Sequence, residues 1–160
     1  MPTWMEILKL LASGVVGFLS SSVIFIWKER KASRKSAEDN YTEALAIAAR
    51  NREVAQAGAM MLYKIVQEIQ ASPMALQLVE IRKPFQQAAA EIAEPNAQAA
   101  DEFYRELYKL DGHIPLKASK AYLKKAKHYL TTNEAANRSM EAKLSLVRIS
   151  LQLGRPELAQ

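Results

Sequence analysis

Apolar residues are distributed along this chain in two ways, and each predicts a different kind of element. From Leu10 to Trp27 they are nearly continuous: LLASGVVGFLSSSVIFIW is eighteen residues without a charge, and Ile7 and Leu8 extend it beyond Lys9. A bilayer core takes about twenty such residues as a helix. Trp4 and Trp27 bracket the run, and the helix between them would span about 34 Å, which places one indole at each interface. Lys9 is close enough to the start to snorkel outward. The pattern predicts a transmembrane helix over residues 7–27 behind a short tail of residues 1–6. A cleaved signal peptide would carry its bases before the apolar run and a small-residue cleavage site after it, and this order is reversed here.

Beyond the run the apolar positions become periodic. Tyr41, Ala48, Ala55, Leu62 and Ile69 recur every seven residues. Leu45, Ala59 and Val66 form the expected companion series, with Arg52 breaking it. This is a heptad-like stripe on a long helix, and its many alanines call for packing within its own domain. Ser72 and Pro73 then predict a new helix, which Pro84 should end or kink. Pro95 and Asn96 predict the next one, with Ala100, Phe103, Leu107 and Leu110 on one face and Gly112 stopping it. Tyr122, Ala126 and Tyr129 line a short basic helix. Thr131 with Glu134 matches a capping box opening a last helix, with Ala136, Met140, Leu144, Val147 and Leu151 on one side. Gly154 and Pro156 close it. No strand-like alternation or internal repeat is visible. The expected fold is all-α, one N-terminal transmembrane helix followed by a small soluble helical bundle over residues 37–154, with a tail of residues 155–160.

Charge adds an orientation. Lys28, Arg30, Lys31, Arg34 and Lys35 follow the span directly in a basic neck, residues 28–36, and the side richer in Lys and Arg stays cytoplasmic. The N-terminus is therefore expected outside and the bundle in the cytoplasm, with a bacterial inner membrane as the expected setting. Trp4, Trp27 and the five neck bases are the candidate membrane-interface residues, and the neck should attract anionic headgroups. Within the span Ser13, Gly17 and Ser21 recur every four residues, a candidate face for transmembrane self-association into a homo-oligomer.

Candidate chemistry changes the picture by its scarcity. The chain of 160 residues has no cysteine and two histidines, His113 and His128, in no metal-ligating or catalytic spacing. No glycine-rich phosphate loop or nucleophile elbow is present, so no enzyme activity, cofactor or metal is expected. One charged feature stands out. Lys117, Lys120, Lys124 and Lys127 are spaced to share a helix side, with Lys125 and His128 beside them. Three occupants compete for this basic face: the acidic helix with Glu91, Glu94, Asp101, Glu102 and Glu106, then anionic lipid, and last nucleic acid, which is not expected because arginines and aromatics are scarce on the stripe. The resulting expectation is a membrane-anchored helical scaffold or adaptor meeting a protein partner. The alternative is an oligomeric, permeability-altering membrane protein assembled through the span.

Overall fold

The computed structural model describes residues 4–73, 75–112 and 114–153, with side chains from Val23 to Gln152 apart from Met74 and His113. Among these residues all regular structure is helical. Helix α1 runs without interruption over Trp4–Ala71, which is 68 residues and about 100 Å. The expected span, neck and first bundle helix are thus one element. A turn segment leads into α2 (Val79–Ala88), a π-helical turn (Ala89–Ala93) and α3 (Glu94–Lys109). Asp111 (φ 47°) and Gly112 (φ 75°) then reverse the chain into α4 (Leu116–Leu153).

Contacts fix the directions. Tyr41 meets Leu107, Arg52 meets Asp101 and Tyr63 meets Glu94, so α3 runs antiparallel to α1. Glu43 pairs with Lys127, Arg50 with Glu134 and Glu68 with Arg148, so α4 runs parallel to α1 at an offset of 84 residues falling to 80. The result is an up-down-up bundle of three helical arms.

The heptad expectation is half right. Tyr41, Ala48, Ala55, Leu62 and Ile69 are all buried. Their true companions are Ala37, Ala44, Asn51, Gly58 and Ile65, also buried, which completes an alternating three–four seam from residue 37 to 69. Of the expected companions, Ala59 and Val66 are buried beside that seam and Leu45 is half-buried. Arg52 does not break it, because it lies beside it with its guanidinium 4.7 Å over the Tyr104 ring. Helix α4 carries a matching seam in which Ser119, Ala126, Asn133 and Val147 are buried.

Two further expectations fail for stated reasons. Thr131 does not cap a helix: its hydroxyl donates back to the Lys127 carbonyl at 2.9 Å, and α4 passes through with no Gly or Pro to stop it. Pro84 sits inside α2 without ending it, and the helix it belongs to begins at Val79 instead of Pro73. The break comes later, before Pro95, whose ring bars the ordinary bond back to Glu91. The backbone widens there into the π turn, with the Glu94 N–H donating to the Ala89 carbonyl. The α3 face forms as expected, with Ala100, Phe103 and Leu107 buried.

The core has two apolar halves. One gathers Ala44, Ala48, Phe103, Leu107 and Ala126, and the other Ile65, Ile69, Leu78, Leu144 and Val147. Between them lies a polar layer. Asn96 donates to Asn133 Oδ1 and Asn133 donates to Asn51 Oδ1, both at 2.8 Å, while Asn137 donates to the Val54 carbonyl at 2.8 Å. Gly58 makes room for this layer, since a Cβ there would collide with the Asn137 amide. Alanine at Gly58 would gain about 1 kcal/mol of helix propensity and lose about as much in the Asn137 bond, so it should be near neutral. Gly58→Leu also overpacks the seam and should cost about 2–3 kcal/mol. Thermal unfolding followed by circular dichroism, run on both variants, checks this difference.

Candidate interaction surfaces

The bundle seam begins at Ala37, and α1 continues ahead of it as a helix whose described residues from Val23 to Ala32 are all exposed. Val23, Ile24, Phe25, Ile26 and Trp27 are 49–66% exposed although they are consecutive and point all around the helix. Residues Lys28, Arg30, Lys31, Arg34 and Lys35 follow, all exposed, with the Lys31 ammonium 5.3 Å over the Trp27 ring. Among the described residues no helix is long and apolar enough to cross a membrane. The candidate span lies mostly ahead of Val23, and Trp4, Ser13, Gly17 and Ser21 fall outside the described side chains.

The basic face is on α4, at the end of the bundle from which α1 leaves. Lys117, Lys120, Lys124 and Lys127 are exposed there. They do not turn to the acidic helix. Lys127 pairs with Glu43 of α1 at 2.7 Å, and among the described residues the other three have no ion pair. The acids of the second arm are engaged elsewhere: Asp101 by Arg105 and Arg52, Glu94 by Tyr63, and Glu91 by Gln87. Glu106 accepts from the Tyr122 hydroxyl at 3.2 Å. Partial burial first, and then the Glu106 charge and hydrogen bond, push the Tyr122 hydroxyl above its usual range. The rows of opposite charge therefore coexist without neutralising each other. His128 is exposed beside Tyr129, and His113 lies outside the described residues.

Two grooves were not visible in the sequence. One of about 690 Å³ lies between α3 and α4, with Asn51, Asn96, Phe103, Lys125, Tyr129 and Asn133 in its lining. There the Lys125 ammonium sits 4.7 Å over Phe103 and 5.5 Å over Tyr129. The second, about 550 Å³, lies beside the π turn, with Leu62, Phe85, Ile92 and Met140 in its lining. Neither contains a nucleophile held by a base, and among the described residues no cluster of His, Asp and Glu could hold a metal ion. Towards the far end of α4, Leu146 and Ile149 are 57% and 47% exposed, on the opposite side from the buried Leu144 and Val147.

Searches against protein-family models, curated proteins and solved structures return no match.

Proposed function

We propose that the chain is a single-pass membrane-anchored interaction module, a helical scaffold or adaptor whose bundle stands on the cytoplasmic face of a bacterial inner membrane. The observation that carries this reading is the bare apolar segment Val23–Trp27, which continues the uncharged run of the sequence and passes directly into the basic neck. A helix apolar on every side needs a covering, and a bilayer supplies one over the whole run. Because α1 is continuous, the anchor acts as a stalk that fixes the bundle close to the lipid surface.

Support for the adaptor role comes from Leu146 and Ile149, apolar positions that the bundle's own core leaves uncovered. These two residues are the proposed contact with a protein partner, in the manner of helix-in-groove recognition.

The test has two arms. Val16→Arg with Phe18→Arg places two charges in the apolar run, each costing about 2.5–3.5 kcal/mol at a span centre. The variant should move from the alkali-resistant membrane fraction to the wash, whereas the wild type stays. A photocrosslinker at Ile149 should give a discrete adduct that Leu146→Asp abolishes. A wild type that washes off ends the anchor reading, and the absence of a Leu146-dependent adduct ends the adaptor reading.

A further inference from the structure

The parallel register of α1 and α4 has a consequence for charge. With Lys127 opposite Glu43, Lys117 stands level with residue 33 of α1, Lys120 with residue 36 and Lys124 with residue 40. The lysine stripe, about ninety residues from the neck in sequence, therefore adjoins it in space. Measured along α1 from Trp27, the three lysines lie at about 9, 14 and 20 Å. That is within one to two Debye lengths of the interface at ordinary ionic strength.

The asymmetry is larger than the stripe. The anchor-proximal slice, residues 28–43 with 105–128, holds twelve bases and six acids, a net charge of +6. The rest of the described bundle, residues 44–104 with 129–153, holds eight bases and nine acids, a net charge of −1. The chain's whole formal charge of +5 is thus accounted for at the end from which α1 emerges. Solubility alone would not require this placement, and among the described residues no ion pair engages Lys117, Lys120 or Lys124.

We propose that this end is a lipid-docking face: Lys117, Lys120 and Lys124 of α4, together with Arg30, Lys31, Arg34 and Lys35, hold the bundle against an anionic leaflet. The inference rests on the anchor reading, which sets the distance. A stalk tilted towards α4 by the roughly 20° usual for spanning helices brings the lysine side down to the headgroups. Lys127 is already engaged by Glu43 and contributes less. Lipid is favoured over nucleic acid because the stripe consists of flexible lysines with no arginine to read a base edge.

The absence of cysteine makes a single probe unique. Ala121, exposed between Lys120 and Lys124, is replaced by Cys and labelled with an environment-sensitive fluorophore in the full chain. Ala142→Cys, exposed at the far end, is the control. Each labelled chain is reconstituted into phosphatidylcholine vesicles with or without phosphatidylglycerol, and with a headgroup-bound quencher. The label at residue 121 should be quenched strongly only in anionic vesicles, the effect should fall with salt, and residue 142 should stay unquenched. Lys117→Gln with Lys120→Gln and Lys124→Gln should reduce the docked-to-free ratio by roughly a hundredfold, with helicity unchanged.

Equal quenching at residue 121 in both vesicles, while the chain floats with both, overturns the docking face and leaves the anchor standing. Flotation with anionic vesicles alone, lost in the triple variant, overturns the anchor and supports the lysine face. A response of the residue 121 label to a DNA duplex, with none to phosphatidylglycerol, overturns the lipid assignment.

Discussion

Truncation of Leu107 to alanine should lower the stability of the bundle by about 3–4 kcal/mol and its melting temperature by roughly 10–15 °C. Leu107 is fully buried, and its neighbours in the core include Ala44, Ala48 and Ala126. Alanine has no rotamer with which to fill a cavity, so the void left by the lost isobutyl group persists and the cost falls in the upper half of the usual range. Phe103, the one large buried partner of Leu107 in this cluster, is held in edge-to-face contact with Tyr129 at 5.4 Å. The Tyr41 hydroxyl bond to the Leu107 carbonyl, 3.0 Å, is to backbone and survives the truncation. Tyr41→Phe should therefore cost only about 1 kcal/mol by itself. A loss below about 1 kcal/mol for Leu107→Ala, measured by thermal or denaturant unfolding, would show that this half of the core is packed differently.

The second large effect concerns the asparagine layer, and its sign depends on how many members are changed. Asn133→Leu removes both bonds at once, leaving Asn51 Oδ1 and Asn96 Nδ2 without this partner. Asn96 is exposed and can turn to water. Asn51 is 1% exposed and cannot. The stranded buried amide should make the single change cost about 2–3 kcal/mol. Replacing Asn51 and Asn133 together by leucine removes the stranded group and should recover most of that loss, giving a coupling of about 1–2 kcal/mol in a double-mutant cycle. The recovered stability should come at the expense of a unique register, because buried amides in a heptad seam penalise slippage. Dye binding to loosened apolar surface checks that second consequence. Additive single and double effects would mean that Asn51 and Asn133 do not act as one unit.

How far the sequence leads can be seen in the same residues. Helical periodicity and the α3 face were legible because Phe103, Leu107 and the alternate heptad positions from Tyr41 to Ile69 are apolar. The companion row was read one position late. Its members include Asn51 and Gly58, a buried amide and a residue with no side chain, so apolar spacing alone points to Leu45, Ala59 and Val66 beside it, of which Ala59 and Val66 are buried too. Thr131 misled for a related reason: a capping-box spacing tests two side chains, and the hydroxyl has an equally good acceptor in the Lys127 carbonyl one turn back. The position of the lysine stripe beside the neck was beyond reach of the sequence. Whether those lysines faced the second arm or the neck depends on the direction of α4 relative to α1, which no local pattern encodes. The grooves were hidden likewise, since each is built from residues of more than one arm.

The most direct test of the account is where the bundle stands. Ala142→Cys, the only thiol in the chain, is exposed to a membrane-impermeant maleimide in intact bacterial spheroplasts and again after lysis, with the alkali-washed membranes collected each time. The account predicts that the chain stays with the washed membranes and that residue 142 is labelled only after lysis. Labelling in intact spheroplasts, or loss of the chain into the alkaline wash, would contradict it.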